Sequence, residues 1–518
     1  MFTPRRITHF SWKQLRCFSA QVSQVVASDL SYDDHNIKWE DAKPYKSIPG
    51  PTTISLIRGF MPGGKFCNED FSKMHKMLRD EFGDIYRIKG SFGKRDTVTI
   101  HDPQDFETIY RSSGNFPVRR GLDALGYYRQ HYSNLHVNSL GLVHEQGASW
   151  WDLRHKVNGV MMKPQIAKGY TSAVDEVSMD FVRKLHTLRD KNLETPANFF
   201  YHLNIWALEA IACITMNMRL GLLQNKPNPN VDKLADLIKD FFRLGAELDF
   251  KPSIWKIYKT PKFNQYIQIM DSMHNIVRQF VDEGLESLKT KANQDENAYG
   301  EKGVLEKLYD IDRDVAVIMA VDALIAGVDT TSTAVFSVLY TLATSPDKQK
   351  ILRSELLKIL PEKDSPLTKA NMTNLPYLRA CIKEAMRLMP VVLGNARATA
   401  KDIVIKGYQI PKDIDVFMHH QALHTDERFF QNPQTFIPER WLRSEEKIET
   451  YNPFAYLPFG FGNRVCIGRR FAELEVETLV CRIVRNYQLE WHHPPPKVQF
   501  STINVPKGDL QLRLRDHQ

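Results

Sequence analysis

The stretch Phe459-Gly460-Phe461-Gly462-Asn463-Arg464-Val465-Cys466-Ile467-Gly468 decides how the rest of this chain is read. The residues after it predict a helix from about Arg470 to Arg485. A cysteine therefore sits in a glycine-punctuated loop at a helix N-terminus. Glycines let the backbone turn tightly and lie close to a flat ligand. The helix end contributes positive potential, and nearby amides can donate to the sulfur; both favour thiolate over thiol. Arg464, two residues earlier, can meet a carboxylate. A sulfur anion beside a cationic anchor suits a metal-bearing acid. The plain alternative is a buried structural cysteine, the usual fate of a lone Cys. Zinc is a poor fit, because Cys481 is the nearest other cysteine and no four-ligand spacing exists.

The 518 residues are 42% hydrophobic and 25% charged, an ordinary globular composition. No Gly/Ser linker, low-complexity tract or internal repeat divides them, so one large domain behind a leader is expected. No run of about 18 to 20 apolar residues predicts a transmembrane helix. The cysteines, at positions 17, 67, 213, 381, 466 and 481, form no Cys-x-x-Cys pair. Such sparse spacing does not read as a disulfide framework and points to a reducing interior. The formal charge of +8 would allow a nucleic-acid partner, but the basic residues are not gathered into one block. Arg5, Arg6, Lys13 and Arg16 lie in the first 28 residues, which hold no acid; without those four charges the remainder carries +4. No nucleic-acid binding is expected.

That leader is basic, acid-free and rich in Ser and Thr, with Ile7, Phe10, Leu15 and Phe18 interspersed. This is the composition of a mitochondrial transit peptide rather than of a secretory signal. Arg16-Cys17-Phe18-Ser19 resembles a matrix-peptidase site, with cleavage after Phe18. The expected division is a transit peptide at 1–18, an N-terminal segment at 19–48 and a catalytic domain at 49–518. Within the last, a helix from Asp70 to Phe82 ends at Gly83, and Ile85–Ile88 and Thr97–Ile100 read as short strands. The pattern is mainly helical from about 145 to 350, with Ser345 as an N-cap before Pro346. Short strands return near Asp402–Ile410 and Asp415–Phe417. The fold class is mainly α with small β-sheets (α+β).

Three further constellations stand in order along the chain. Trp150 and Arg154 are one helical turn apart. Ala326-Gly327-Val328-Asp329-Thr330-Thr331 interrupts a long apolar segment from about Asp314 to Leu342. Gly there weakens a helix by about 1 kcal/mol, and Thr hydroxyls can bond back to the preceding turn. By itself this reads equally as a kink or a tolerated polar face. Glu384 and Arg387, three apart, share a helix face, and Pro438-Glu439-Arg440-Trp441 supplies another arginine.

Together these motifs resemble the cytochrome P450 superfamily, whose heme-binding loop, Phe-x-x-Gly-x-Arg-x-Cys-x-Gly, is matched at every fixed position from Phe459 to Gly468. The resemblance covers nearly everything after residue 48. It implies a single heme-thiolate domain with a long central helix, and heme b (iron protoporphyrin IX) on Cys466. Arg464, Trp150, Arg154 and Arg397 would hold the heme propionates. Asp329 and Thr330 would deliver protons during the activation of O2, the co-substrate. Glu384, Arg387 and Arg440 would form a buried structural network. The substrate pocket would include Ala323, Ala326, Val391, Val392 and Ile503. The reaction implied is monooxygenation of a lipophilic small molecule, xenobiotic or steroid-like. Heme-thiolate isomerase or dehydratase chemistry, and a non-catalytic heme sensor, are the rival readings.

The leader and Gly468-Arg469-Arg470-Phe471-Ala472-Glu473 most resemble the insect mitochondrial branch. That branch takes electrons from NADPH through a ferredoxin reductase and a [2Fe-2S] ferredoxin, which would dock on Arg379 and Lys383. The enzyme would work on the matrix side of the inner mitochondrial membrane, with peripheral contact through the Trp-, Tyr- and Lys-bearing segment 250–262.

Overall fold

The computed structural model describes residues 37–67, 69–133, 139–224, 229–292, 302–442 and 451–517. The leader expectations, at 1–18 and at 19–36, lie outside the described residues. The helix Arg313–Ala343 runs through the middle of the core. Asp312 starts it by accepting from the backbone N–H groups of Asp314 (2.7 Å) and Val315 (3.1 Å), which satisfies two of the donors a helix start leaves open. This helix and Phe199–Met216 are long and apolar enough to cross a membrane, yet they are 78% and 83% buried inside the fold. Their hydrophobicity serves the core.

From Val315 to Leu339 every residue of the central helix is buried except Ala323, Ala326, Gly327 and Thr330. Those four recur at spacings of three and four and so share one face. A stripe of accessible surface on a core helix marks an interior space beside it. Gly327 is a close-approach position: a Cβ there would lie 3.0 Å from Ile211 Cγ1 on Phe199–Met216. The helix does not break at this point. Thr330 bonds back to Ala326 O at 2.6 Å, as the sequence suggested.

The remaining architecture follows the expected class. Helix Phe71–Phe82 is capped by Asp70 and ends at Gly83, with φ 90°. Strands β1 (Ile85–Ile88), β2 (Thr97–Ile100), β3 (Asn395–Ala398) and β6 (Asp415–Met418) form a four-stranded sheet in the order β1-β2-β6-β3. Strands β4 (Ile403–Ile405) and β5 (Tyr408–Ile410) make a hairpin. Two expectations need correction. Ser345 makes no side-chain cap; its carbonyl, not its hydroxyl, accepts from Gln349 N. The final segment also holds strands that the sequence did not predict: β7 (Tyr487–Glu490) pairs with β10 (Arg513–Asp516), and β8 (Lys497–Ser501) with β9 (Ile503–Lys507). The β8–β9 turn is a single residue, Thr502, at φ 66°. It carries none of the Gly or Asn that signals a hairpin.

Behind the cysteine loop, Glu384 on the helix Pro376–Leu388 binds two buried arginines. Arg387 donates to both of its oxygens, at 2.8 and 3.0 Å, and Arg440 donates at 3.1 Å. Trp441 Nε1 adds 2.8 Å and Ile437 N adds 3.1 Å. Arg387 also donates to the carbonyls of Pro433 (2.7 Å) and His424. One carboxylate thus ties three distant segments together. Glu384→Ala leaves two buried guanidinium groups uncompensated and is expected to destabilise the protein by about 3–5 kcal/mol, read from denaturant midpoints.

Glu475, on the helix Arg469–Asn486, is buried against the central helix, where Thr331 Oγ1 donates to it at 3.3 Å. Burial pushes its carboxyl up to about 8, against a small lowering from Thr331. The folded value exceeds the unfolded one, so its stabilising effect is complete below about pH 4.5 and is lost as pH rises through about 8. Glu475→Gln removes that loss. The variant is expected to match the parent near pH 4.5 and to exceed its stability by on the order of a few kcal/mol at pH 9, measured by denaturation at both pH values.

Candidate active site

The cysteine loop is closed by Cys466 N, which donates to Phe459 O at 2.9 Å. Gly460 and Gly462 turn the chain between them, at φ 74° and 73°, a conformation that glycine adopts without Cβ strain. The helix Arg469–Asn486 begins three residues after the cysteine. Burial raises the Cys466 thiol. The backbone N–H of Gly468 and the charges of Arg119, Arg154 and Arg469 pull it back down. Cys466 nevertheless keeps accessible surface, although burial dominates its acidity. Arg119 shows the same combination. Both therefore open onto an enclosed space rather than onto bulk solvent.

Four arginines surround that space. Arg154, Arg397 and Arg464 are buried, and Arg119 lies between them. Burial and mutual repulsion push Arg464 down to about 8, with Arg119, Arg397 and Arg154 as the repelling charges. Burial lowers Arg154 and Arg397 to about 10 each. Among the described residues none of the four makes an ion pair, and Arg154 Nε is buried without any hydrogen-bond partner. Guanidinium stays charged in proteins, so the cluster concentrates positive charge that calls for an anion. A flat dianion bearing a thiolate-binding metal fits this donor set, and heme is such a group.

The arginines are not equivalent. Arg464 donates to Pro117 O (2.9 Å), Leu142 O (3.3 Å), Glu145 O (2.7 Å) and Gln146 Oε1 (2.8 Å), and its guanidinium lies 4.0 Å from the centre of the Trp150 ring. The structure thus commits Arg464 largely to backbone carbonyls, because two segments, at Pro117 and at Leu142–Gln146, leave acceptors there. Trp150, fully buried on the helix Gly147–Met161, is the platform beneath it. Arg397, on β3, donates to Ala396 O at 2.8 Å and Phe461 O at 3.4 Å, and stands over the Tyr110 ring. Arg154 and Arg119 are the least engaged. Arg119 was missed by sequence reasoning: it stands in a loop, Phe116-Pro117-Val118-Arg119-Arg120, with no periodicity to single it out. Gln146 was missed too; it joins Arg119 to Arg464, accepting from Arg119 N (2.9 Å) as well as from the Arg464 guanidinium.

On the central helix, Thr330 shares the accessible face with Ala323 and Ala326, while Asp329 turns away from it. Asp329 is buried and accepts from Asn204 Nδ2 at 2.8 Å. Burial pushes its carboxyl up to about 6, against the lowering effects of Asn204 and the Lys239 charge. Asn204 had a legible signal, as a lone amide in the apolar run of Phe199–Met216. Of the expected pocket residues, Val391 and Val392 are half-buried and Ile503 is buried. Val391 O accepts from Asn504 N at 2.8 Å, which places β9 beside that segment.

The two basic residues on Pro376–Leu388 behave differently from a bare docking face. Arg379 is held by Glu477 (2.8 and 3.1 Å) and by the carbonyls of Met372 and Thr373. Lys383 lies over the Trp441 ring, and burial lowers its pKa, with Arg469 next in effect. Arg469 and Arg470 both reach Glu473. Acidic neighbours thus temper the expected patch.

Comparison with known proteins agrees with this geometry. The family model described as Cytochrome P450 matches residues 49–513. Probable cytochrome P450 12b2, mitochondrial, of Drosophila melanogaster is 40% identical over 506 residues, covering 96% of this chain and 93% of that protein. Cytochrome P450 12b1, mitochondrial, of Drosophila acanthoptera is 40% identical over 526 residues, with 98% and 97% covered. Cytochrome P450 CYP12A2 of Musca domestica is 39% identical, with 97% of each chain covered. A glycine-turned cysteine loop, a cluster of buried arginines beside it and matches along nearly the whole length agree: the chain belongs to the cytochrome P450 family, as a heme-dependent monooxygenase similar to insect mitochondrial members.

Proposed function

We propose that this enzyme hydroxylates a lipophilic small molecule, xenobiotic or steroid-like, inside mitochondria, with electrons from NADPH passed through a ferredoxin reductase and a [2Fe-2S] ferredoxin. The observation that carries the reading is the pairing of two interior surfaces, the thiolate–arginine cluster and the accessible stripe of an otherwise buried helix. In this reading they bound one chamber. Heme, when bound, supplies the redox chemistry that splits O2 and transfers one oxygen atom to carbon. The chain's own residues do the rest. Cys466 ligates the iron and Phe459 O fixes its loop. Arg154, Arg397 and Arg119 meet the two propionates, while Arg464 holds the surrounding loops over Trp150. Glu384, Arg387 and Arg440 keep the cysteine loop rigid.

Ala323 and Ala326 offer small side chains, which leaves room for a bulky substrate above the stripe. Val391, Val392 and Ile503 supply apolar walls that favour lipophiles and exclude water. Thr330 presents a hydroxyl to the chamber, and one residue away Asp329, with its carboxyl pushed up to about 6, exchanges protons more readily near neutrality than an ordinary carboxylate, a pair suited to proton delivery. Lys383, Arg469 and Arg470 form the core of the ferredoxin face, with Arg379 anchored to Glu477. Ile254, Ile257 and Tyr258 are exposed among Lys251, Lys256, Lys259 and Lys262, and Ile54 and Met61 are exposed on a nearby helix. This mixture suits peripheral contact with the anionic matrix face of the inner membrane. Cleavage after Phe18 would release the mature chain, and its catalytic domain starts at residue 49.

Reconstitution tests the reading. Heme-loaded protein lacking residues 1–18 should consume NADPH and hydroxylate members of a lipophile panel only when ferredoxin and its reductase are present. Product formed without any electron donor would instead indicate isomerase or dehydratase chemistry. Cys466→Ser should lose the thiolate-type carbon monoxide spectrum and all turnover. Asn204→Leu removes the donor to Asp329 and should raise that carboxyl further. A carboxyl raised in the folded state loses stability as pH rises through its folded value. The stability deficit of Asn204→Leu should therefore widen between pH 5.5 and pH 8; a constant deficit would show that Asn204 does not govern Asp329.

A further inference from the structure

On one face of the central helix three hydroxyls behave alike and a fourth does not. Thr330, Ser337 and Thr341 each donate to the carbonyl four residues earlier, at 2.6, 2.8 and 2.8 Å. Thr333 shares that face, three residues after Thr330 and four before Ser337. It is 4% exposed, and its Oγ1 has no hydrogen-bond partner. Thr333 instead lines a cavity of about 40 Å³, bounded also by Ser337, Pro390, Gln421 and the β8–β9 hairpin.

A water needs about 10–15 Å³ of such space and two to four polar partners. The cavity meets both conditions. Thr333 offers a complete hydroxyl. The single Ser337 hydroxyl proton is directed to Thr333 O, with Met389 O as a longer second acceptor, and the oxygen keeps lone pairs to accept. Gln421 presents an amide whose oxygen already accepts from Asn504 at 3.0 Å. A dry cavity would leave a buried hydroxyl unsatisfied, which native interiors avoid. Val498, on the cavity's outer wall, is 39% exposed, so this wall adjoins solvent.

We propose that this cavity is a water site held by Thr333 and Ser337, and that the stripe Thr330–Thr333–Ser337 is a solvent path between the substrate chamber and the surface at β8–β9. The path is separate from Asp329 and Asn204, which lie toward Phe199–Met216. The reaction gives it a use. O2, the substrate, two electrons from the ferredoxin and two protons become hydroxylated product and one water, so protons must arrive and a water must leave. The use of the path rests on the reading of Thr330 given above; the water site does not.

Thr333→Val, nearly isosteric, tests both parts in the heme-loaded enzyme, with Thr333→Ser as the conservative control. A crystal structure of the parent should show water within hydrogen-bond distance of Thr333 Oγ1, absent in Thr333→Val and retained in Thr333→Ser. Losing that bond should lower Tm by about 1 °C. An unhydrated cavity, with Tm raised by the valine, overturns the site. In turnover, Thr333→Val should at least double the NADPH consumed per product, and Thr333→Ser should restore the parent ratio. Thr330→Val, assayed alongside, separates the claims. Coupling lost in Thr330→Val but intact in Thr333→Val overturns the path and leaves Thr330's role standing. Coupling intact in both overturns the path and that role together.

Discussion

Unbalanced positive charge in a protein interior is the constraint on which this structure turns. Arg154, Arg397 and Arg464 are buried and Arg119 faces the same enclosed space, with no acid among the described residues bound to any of them. Elsewhere most buried arginines have an acidic partner, although Arg485 is held by the carbonyls of Leu360 and Pro361 alone. Arg129 has Asp322, Arg482 has Asp175, and Arg387 and Arg440 share Glu384. What marks the site is the gathering of several such charges around one space, which a bound anion would balance. The Cys466 thiol feels the same field, since Arg119 and Arg154 lower its pKa against the rise that burial imposes. Ligand charge and ligand metal are thus accommodated by one arrangement.

That arrangement is only as stable as the elements that aim it. Arg464 is pinned by three backbone carbonyls from two segments, and Gln146 joins it to Arg119. Glu384 fixes the chain behind the loop through bonds to two arginines, a tryptophan and a backbone amide. Each of these residues acts through another rather than on the chemistry. The central helix supplies the other wall, where four small or polar residues interrupt a buried surface.

Much of this was legible in the sequence, for physical reasons that differ from residue to residue. The cysteine loop was readable because glycine, arginine and cysteine are each required there by local chemistry. Glu384 and Arg387 were readable because a spacing of three places them together on any helix. Arg119 and Asn204 were not singled out, because their importance depends on what another segment brings. β8 and β9 were hidden because Thr502 makes the turn without the expected glycine. Ser345 misled in the opposite sense: its type and position suit a cap, but the side chain makes none. Arg464 was located correctly, yet its partners are carbonyls, a choice set by loop packing that no spacing records.

Gly327 shows how an interhelical distance can be encoded. The sequence left a kink and a tolerated polar face equally open; the helix continues, and the residue faces Ile211 at a separation a Cβ would reduce to 3.0 Å. Seven residues before Ile211, on the same helix, Asn204 reaches Asp329 at 2.8 Å. Glycine therefore works here as a gauge. It sets how closely two rods lie, and through that spacing it sets the length of a hydrogen bond beside it. A single methyl group would push the rods apart by a few tenths of an ångström and retune the acidity of a carboxyl that it never touches.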